Sequence, residues 1–125
     1  MTGVKDQSQA WASRSNEIDS RIDKETASLL FLLKTIHAIE KEGKAATIDE
    51  IKDRMIANAS SGKYKRDSIL LIGVNGRLPK SLCLVTLMRW VRSDSSSGTF
   101  HVTDEGLRRL ADSTMQKLIE THVRA

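Results

Sequence analysis

Residues 77–106 read RLPKSLCLVTLMRWVRSDSSSGTFHVTDEG, and how this stretch is read decides the fold. Its first part, Pro79 to Arg89, is a dense apolar run opened by a proline suited to the first turn of a helix. Asp94 to Gly98 (DSSSG) is a polar turn signal, and Thr99 to Val102 has the β-branched and aromatic composition of a strand. The runs on either side of that turn can pair as a hairpin. Thr103 then precedes Asp104 and Glu105, an N-cap followed by carboxylates that complement the positive end of a new helix through Leu107 and Leu110. The stretch therefore predicts helix, hairpin, helix.

That order is the second half of a winged helix-turn-helix domain. Phe100-His-Val-Thr-Asp-Glu-Gly-Leu-Arg-Arg-Leu110 resembles the wing-to-last-helix junction of winged-helix transcription regulators of the MarR and PadR kind. In those proteins an aromatic, a hydrophobic residue, Thr, an acidic pair and Gly follow the wing. The resemblance covers Leu82 to Leu110. It implies a mainly α fold with a small β-hairpin (α+β), a winged helix-turn-helix carrying extra N- and C-terminal helices. Residues 1–16 would be a flexible arm and 17–125 a single domain. It further implies a double-stranded DNA partner, one helix entering the major groove and a wing near Ser95–Gly98.

Charge supports that expectation. Residues 61–92 hold Lys63, Lys65, Arg66, Arg77, Lys80, Arg89 and Arg92 against Asp67 alone, seven basic and one acidic side chain, a net +6. The other 93 residues hold thirteen basic and fifteen acidic groups, a net −2. The positive excess thus coincides with the segment expected to carry the helix-turn-helix and first wing strand, and phosphate contacts supply most nucleic-acid affinity. Aromatic content of 4% argues against a platform that stacks single-stranded bases.

Upstream, Trp11, Ile18, Ile22, Leu29, Leu32, Ile36 and Ile39 fall on a 3.5-residue seam. Either one helix runs from about Asn16 to Glu42, or two helices meet near Asp23–Thr26; the jump in apolar density at Leu29 favours a break or bend there. Gly43 after Lys41 suits a helix C-terminus. Ala45-Ala46-Thr47 suits a short strand, and Thr47 with Glu50 forms a capping-box pattern for a helix whose inner face would be Ile48, Ile51, Met55 and Ile56. His37 reads as a core histidine, since no second ligand stands at metal spacing.

Two stretches compete for the recognition helix. Tyr64–Asn75 opens with Lys63, Lys65 and Arg66 and would present a basic end outward; it is the preferred one. Pro79–Arg89 is the alternative, with Leu84 and Leu87 three apart just before Trp90-Val91-Arg92. The expected DNA contacts are Lys63, Tyr64, Lys65, Arg66, Arg77, Lys80, Ser81, Arg89, Arg92, Ser95, Ser96 and Ser97, with Thr86 beside them. A last helix from Asp104 to about Val123 places Met115, Leu118, Ile119 and His122 on a wide apolar face. Together with Trp11, Ile18 and Ile22, these residues predict a homodimer interface.

Catalytic chemistry finds little footing. Ile69 to Ser81 imitates a phosphate-binding loop, but Gly73 lies seven residues before Lys80 and Pro79 removes an amide the cradle needs. Cys83 has no neighbouring base and reads as a small core residue. The expectations are no enzymatic activity, no metal and no cofactor. No apolar run reaches the ~18 residues of a membrane span, and one cysteine fits a reducing compartment. The whole reads as a cytoplasmic, nucleoid-associated regulator; a winged-helix module binding an unknown protein is the rival.

Overall fold

The computed structural model describes the backbone of residues 2–73 and 77–125, and side chains at 21–69 and 77–125. The side chains of Trp11 and Ile18 and the Asn75-Gly76 turn lie outside the described residues. The chain is mainly helical with one two-stranded antiparallel sheet. Its elements are α1 (Thr2–Lys41), α2 (Ile48–Ser60), α3 (Arg66–Gly73), α4 (Arg77–Leu87), β1 (Val91–Asp94), β2 (Thr99–Val102), α5 (Asp104–Ala111) and α6 (Ser113–His122).

The second half of α1 is the hub. Ala27, Leu30, Phe31, Leu32, Leu33, Ile36 and Ile39 are all buried, covering nearly every side of the helix. It touches α2, α3, α4, α5, α6 and β2. An all-round apolar helix is stable only when neighbours enclose it, and here they do. The expected break near Asp23–Thr26 is absent: α1 is continuous through it and begins at Thr2, within the stretch expected to be an arm. Asp23 and Thr26 have cap-forming side chains, but no glycine or proline interrupts the helix there, so nothing forces the backbone out. What does change at that point is burial. Arg21 to Glu25 are all exposed, and cover begins at Thr26 and Ala27.

Gly43 (φ 75°) ends α1 as expected, with Gly43 and Lys44 donating back to the Glu40 and Ile39 carbonyls. Thr47 caps α2 by accepting the Glu50 amide at 3.2 Å. Glu50 does not complete the capping box, because its carboxylate takes Arg54 instead. The inner face of α2 is Ile51, Met55 and Ala59; Ile48 and Ile56 face outward, since the true spacing from Ile51 is four and eight residues.

The hairpin pairs Val91 with Val102, Arg92 with His101, Ser93 with Phe100 and Asp94 with Thr99. The strand expected at Ala45–Thr47 shrinks to one bridge, Thr47 to Thr99, with Phe100 donating to the Ala46 carbonyl. Glu40 of α1 closes the other end by accepting the Val102 amide at 2.7 Å.

The single last helix expected from Asp104 is two. Asp112 ends α5 and caps α6, its carboxylate accepting the Thr114 amide at 2.8 Å, so the Asp-Ser-Thr sequence breaks the helix by offering a local side-chain acceptor. α6 lies on α1 and buries Ile119.

Candidate nucleic-acid interface

The corner joining α4, β1 and α5 is held by a small set of bonds. α4 ends with Arg89 in the left-handed region (φ 62°), where Arg89 donates to the Thr86 carbonyl and Trp90 to that of Val85. This is the termination glycine usually makes, and an L side chain there costs roughly 1 kcal/mol. Thr103 answers from across the hairpin. Its amide donates to the Trp90 carbonyl at 3.0 Å, its hydroxyl donates to the Arg89 carbonyl, and its oxygen accepts the Gly106 amide at 3.1 Å. Gly106 is buried against this corner. A Cβ there would overlap the Trp90 carbonyl and stand 2.9 Å from Val102 Cγ1. The glycine after the acidic pair is therefore required by close approach of α5 to the start of β1.

α4 has two opposite faces. Leu78, Ser81, Leu82 and Val85 are buried, at the spacing of one helical stripe. Arg77, Lys80, Cys83, Leu84 and Leu87 form the outward stripe, continued by Met88 and Arg89. Leu87 is 74% exposed and Leu84 48%. Ser81 is thus turned inward and unavailable to DNA, contrary to expectation. Thr86 is half-buried and spends its hydroxyl on the Leu82 carbonyl at 2.7 Å. Cys83 is exposed rather than a core residue. The apolar outward stripe was missed because both faces of α4 carry leucines; periodicity detects two stripes and does not rank them.

The basic run divides in space. Lys63 and Lys65 lie beside the C-terminal segment: Ala125 donates to the Lys63 carbonyl, Lys65 to that of Val123, and Lys65 Nζ reaches the Thr121 carbonyl at 3.1 Å. Tyr64 packs on Phe31 with ring centroids 4.7 Å apart, so it serves the core edge. Arg66 starts α3 and is exposed, but Ser68 and Ile69 are buried and Ser68 is bonded to the His122 carbonyl. α3 is eight residues long and lies against α1, α2 and α4. Of the preferred recognition helix, Tyr64–Asn75, the described part is α3, whose opening residues are tied to the C-terminal segment; the side chains of 70–75 lie outside the described residues.

Arg77 and Lys80 lie on α4, Arg92 on β1 and Arg89 in the turn between them, all exposed. Beyond residue 50, every described arginine outside 61–92 holds a carboxylate: Arg54 with Glu42 and Glu50, Arg108 and Arg109 with Glu105, Arg124 with Glu120. Contact with Arg54 holds the Glu42 carboxyl below its ordinary range. Among the described residues, none of Arg66, Arg77, Arg89 and Arg92 has such a partner.

At the hairpin tip the serines are partly engaged. Asp94 accepts the Ser96 amide at 3.0 Å and the Ser96 hydroxyl at 2.6 Å, and these bonds hold its carboxyl below the usual range. Ser97 Oγ lies 2.6 Å from Thr99 Oγ1. Ser95 has no partner among the described residues, so it alone of the three expected serine donors keeps its hydroxyl free.

Of the residues expected at a dimer interface, Ile119 is buried in the chain's own core, with Met115 and Leu118 half-buried beside it. The His122 carbonyl is taken by Ser68. α6 thus packs on α1 through Ile119, while Met115, Leu118 and His122 stay half-buried. Ile22 is different: it stands 54% exposed. No helix among the described residues is long and apolar enough to cross a membrane. No family model, curated protein or solved structure was found to match the chain.

Proposed function

We propose that the chain is a non-catalytic winged helix-turn-helix protein that binds double-stranded DNA as a homodimeric transcription regulator, acting in the cytoplasm on the nucleoid. In this reading α3 and α4 are the two helices, α4 lies in the major groove, and the β1–β2 turn is a wing along the phosphate backbone. The observation that carries it is the partition of arginines. Arg66, Arg77, Arg89 and Arg92 are exposed with no carboxylate partner among the described residues, and three of the four flank the α4–β1 corner, whereas those at 54, 108, 109 and 124 are neutralised within the chain. Unpaired cations beside a helix–hairpin corner favour a polyanion.

The homodimer rests on Ile22, near the middle of α1. Ile22 is an exposed large apolar residue beside the exposed Arg21, Asp23, Lys24 and Glu25, and a second copy of the same helix would cover it. Ile22→Asp should shift the protein toward monomer in sedimentation while helical content stays the same; a wild type that is already monomeric at high micromolar concentration refutes the dimer.

A second reading, a module that binds protein and not DNA, is favoured by the exposed Leu84, Leu87 and Met88. Titration of duplex DNA across salt concentrations decides between them. Binding that weakens log-linearly with salt supports the first reading, and absence of salt-dependent duplex binding supports the second.

A further inference from the structure

We infer that α4 reads thymine methyl groups, so that its selectivity is for T-rich duplex sites, recognised through aliphatic contact and without hydrogen bonds to base edges along most of the helix. This rests on the DNA-binding reading above and specifies what the same surface selects.

The inference follows from what α4 offers outward and what it has already used. Between Lys80 and Arg89 the outward residues are Cys83, Leu84, Leu87 and Met88. Ser81 is buried and Thr86 is bonded to its own helix. Apart from the weak thiol donor of Cys83, that stretch has no outward side chain able to donate to or accept from a base. In the major groove a base pair presents acceptors, an amino donor, or the C5-methyl of thymine. Only the methyl is matched by leucine and methionine. A polar base edge placed against them would lose its water and gain no partner, which costs free energy.

The charges flanking the stripe argue for DNA as its occupant. Arg77 and Lys80 lie at its start, Arg89 and Arg92 at or just beyond its end, and all four are exposed without carboxylate partners among the described residues. An apolar strip with cations at both ends complements a groove whose floor carries methyl groups and whose walls carry phosphates. From Lys80 to Leu87 the strip is about 10 Å long at 1.5 Å per residue. That is about three base-pair steps at 3.4 Å, enough for Leu84 and Leu87 to reach methyls on neighbouring pairs.

The test uses the full chain and a duplex enriched by it from a randomised pool, then resynthesised with deoxyuridine in place of thymine, which deletes the C5-methyl and leaves base pairing intact. Each methyl removed from apolar contact is worth about fourfold in affinity, so loss of two should weaken binding about tenfold or more. Leu84→Ala with Leu87→Ala, both at exposed positions, should bind the thymine and uracil duplexes alike with an unchanged salt slope. Arg77→Ala with Lys80→Ala should keep the thymine preference and flatten the slope. Equal affinity of the wild type for thymine and uracil duplexes overturns the inference while leaving DNA binding in place. Absence of salt-dependent duplex binding overturns both and makes an acidic protein surface the occupant of the stripe.

Discussion

α3 and α4 are adjacent helices that the sequence presents as rivals, and they have opposite fates. α3 opens on a basic cluster, yet Tyr64 packs on Phe31, Lys65 reaches Thr121, and Ser68 and Ile69 are buried. α4 looks like a core helix, yet it runs straight into the hairpin and leaves Leu84 and Leu87 in solvent. A charged start shows where a helix begins. Whether its surface is free depends on which neighbours arrive, and α3 has α1, α2 and α4 around it, with α6's C-terminus bonded to it.

The sharpest way to break this comparison is to loosen the corner that holds α4 against the hairpin. Gly106→Ala forces a Cβ into the Trp90 carbonyl and should cost about 3 kcal/mol or more. Urea unfolding measures it, and an unchanged midpoint means the corner is not a tight junction. Next comes the division of charge. Replacing Arg77, Lys80 and Arg92 together with alanine should lower the log–log salt slope of duplex binding by roughly 2.7, about 0.9 per phosphate contact. Replacing Lys65, whose ammonium is held by the Thr121 carbonyl, should leave that slope nearly unchanged. The opposite ranking would restore α3 as the DNA-facing helix.

Arg89 tests fold and binding at once. Arg89→Gly relieves the left-handed backbone at φ 62° and should raise stability by about 1 kcal/mol. The same change should take about 0.9 from the salt slope if the guanidinium meets a phosphate. Greater stability with an unaltered slope would leave Arg89 as a helix terminator only. The smallest effect is expected at the hairpin tip. Asp94 has a folded-state pKa below its ordinary 3.8, caused by hydrogen bonds from Ser96. Its contribution is therefore complete above the unfolded value and is lost as pH falls through the lower folded value. Asp94→Asn should remove that acid-dependent component of stability, read as a smaller difference between unfolding midpoints at neutral and strongly acidic pH. An identical pH dependence would show that the tip is not organised by this carboxylate.

Several features were legible in the chain because the signal is local. Thr47 and Thr103 cap helices whose first-turn amides lie three residues away, and Gly43 takes the positive φ that a helix end demands. The DSSSG turn and the strand after it follow the same logic. The glycine in Thr-Asp-Glu-Gly was visible as a pattern, but its reason is not local: the Trp90 carbonyl lies sixteen residues earlier in the chain. Asp112 could have been read as a cap from Asp-Ser-Thr, but the apolar periodicity running through it conceals the break.

By itself the sequence determined the caps, the turn, the hairpin strands, the apolar second half of α1 and the concentration of positive charge in 61–92. Each depends on residues within a few positions of one another, or on composition. Tertiary structure alone decided which leucines of α4 face water, that Ile119 serves the chain's own core, that Tyr64 and Lys65 are committed, and which arginines remain unpaired among the described residues. Burial and charge pairing are set by partners distant in the chain, and a periodicity of 3.6 residues fixes faces without saying which one another element will cover.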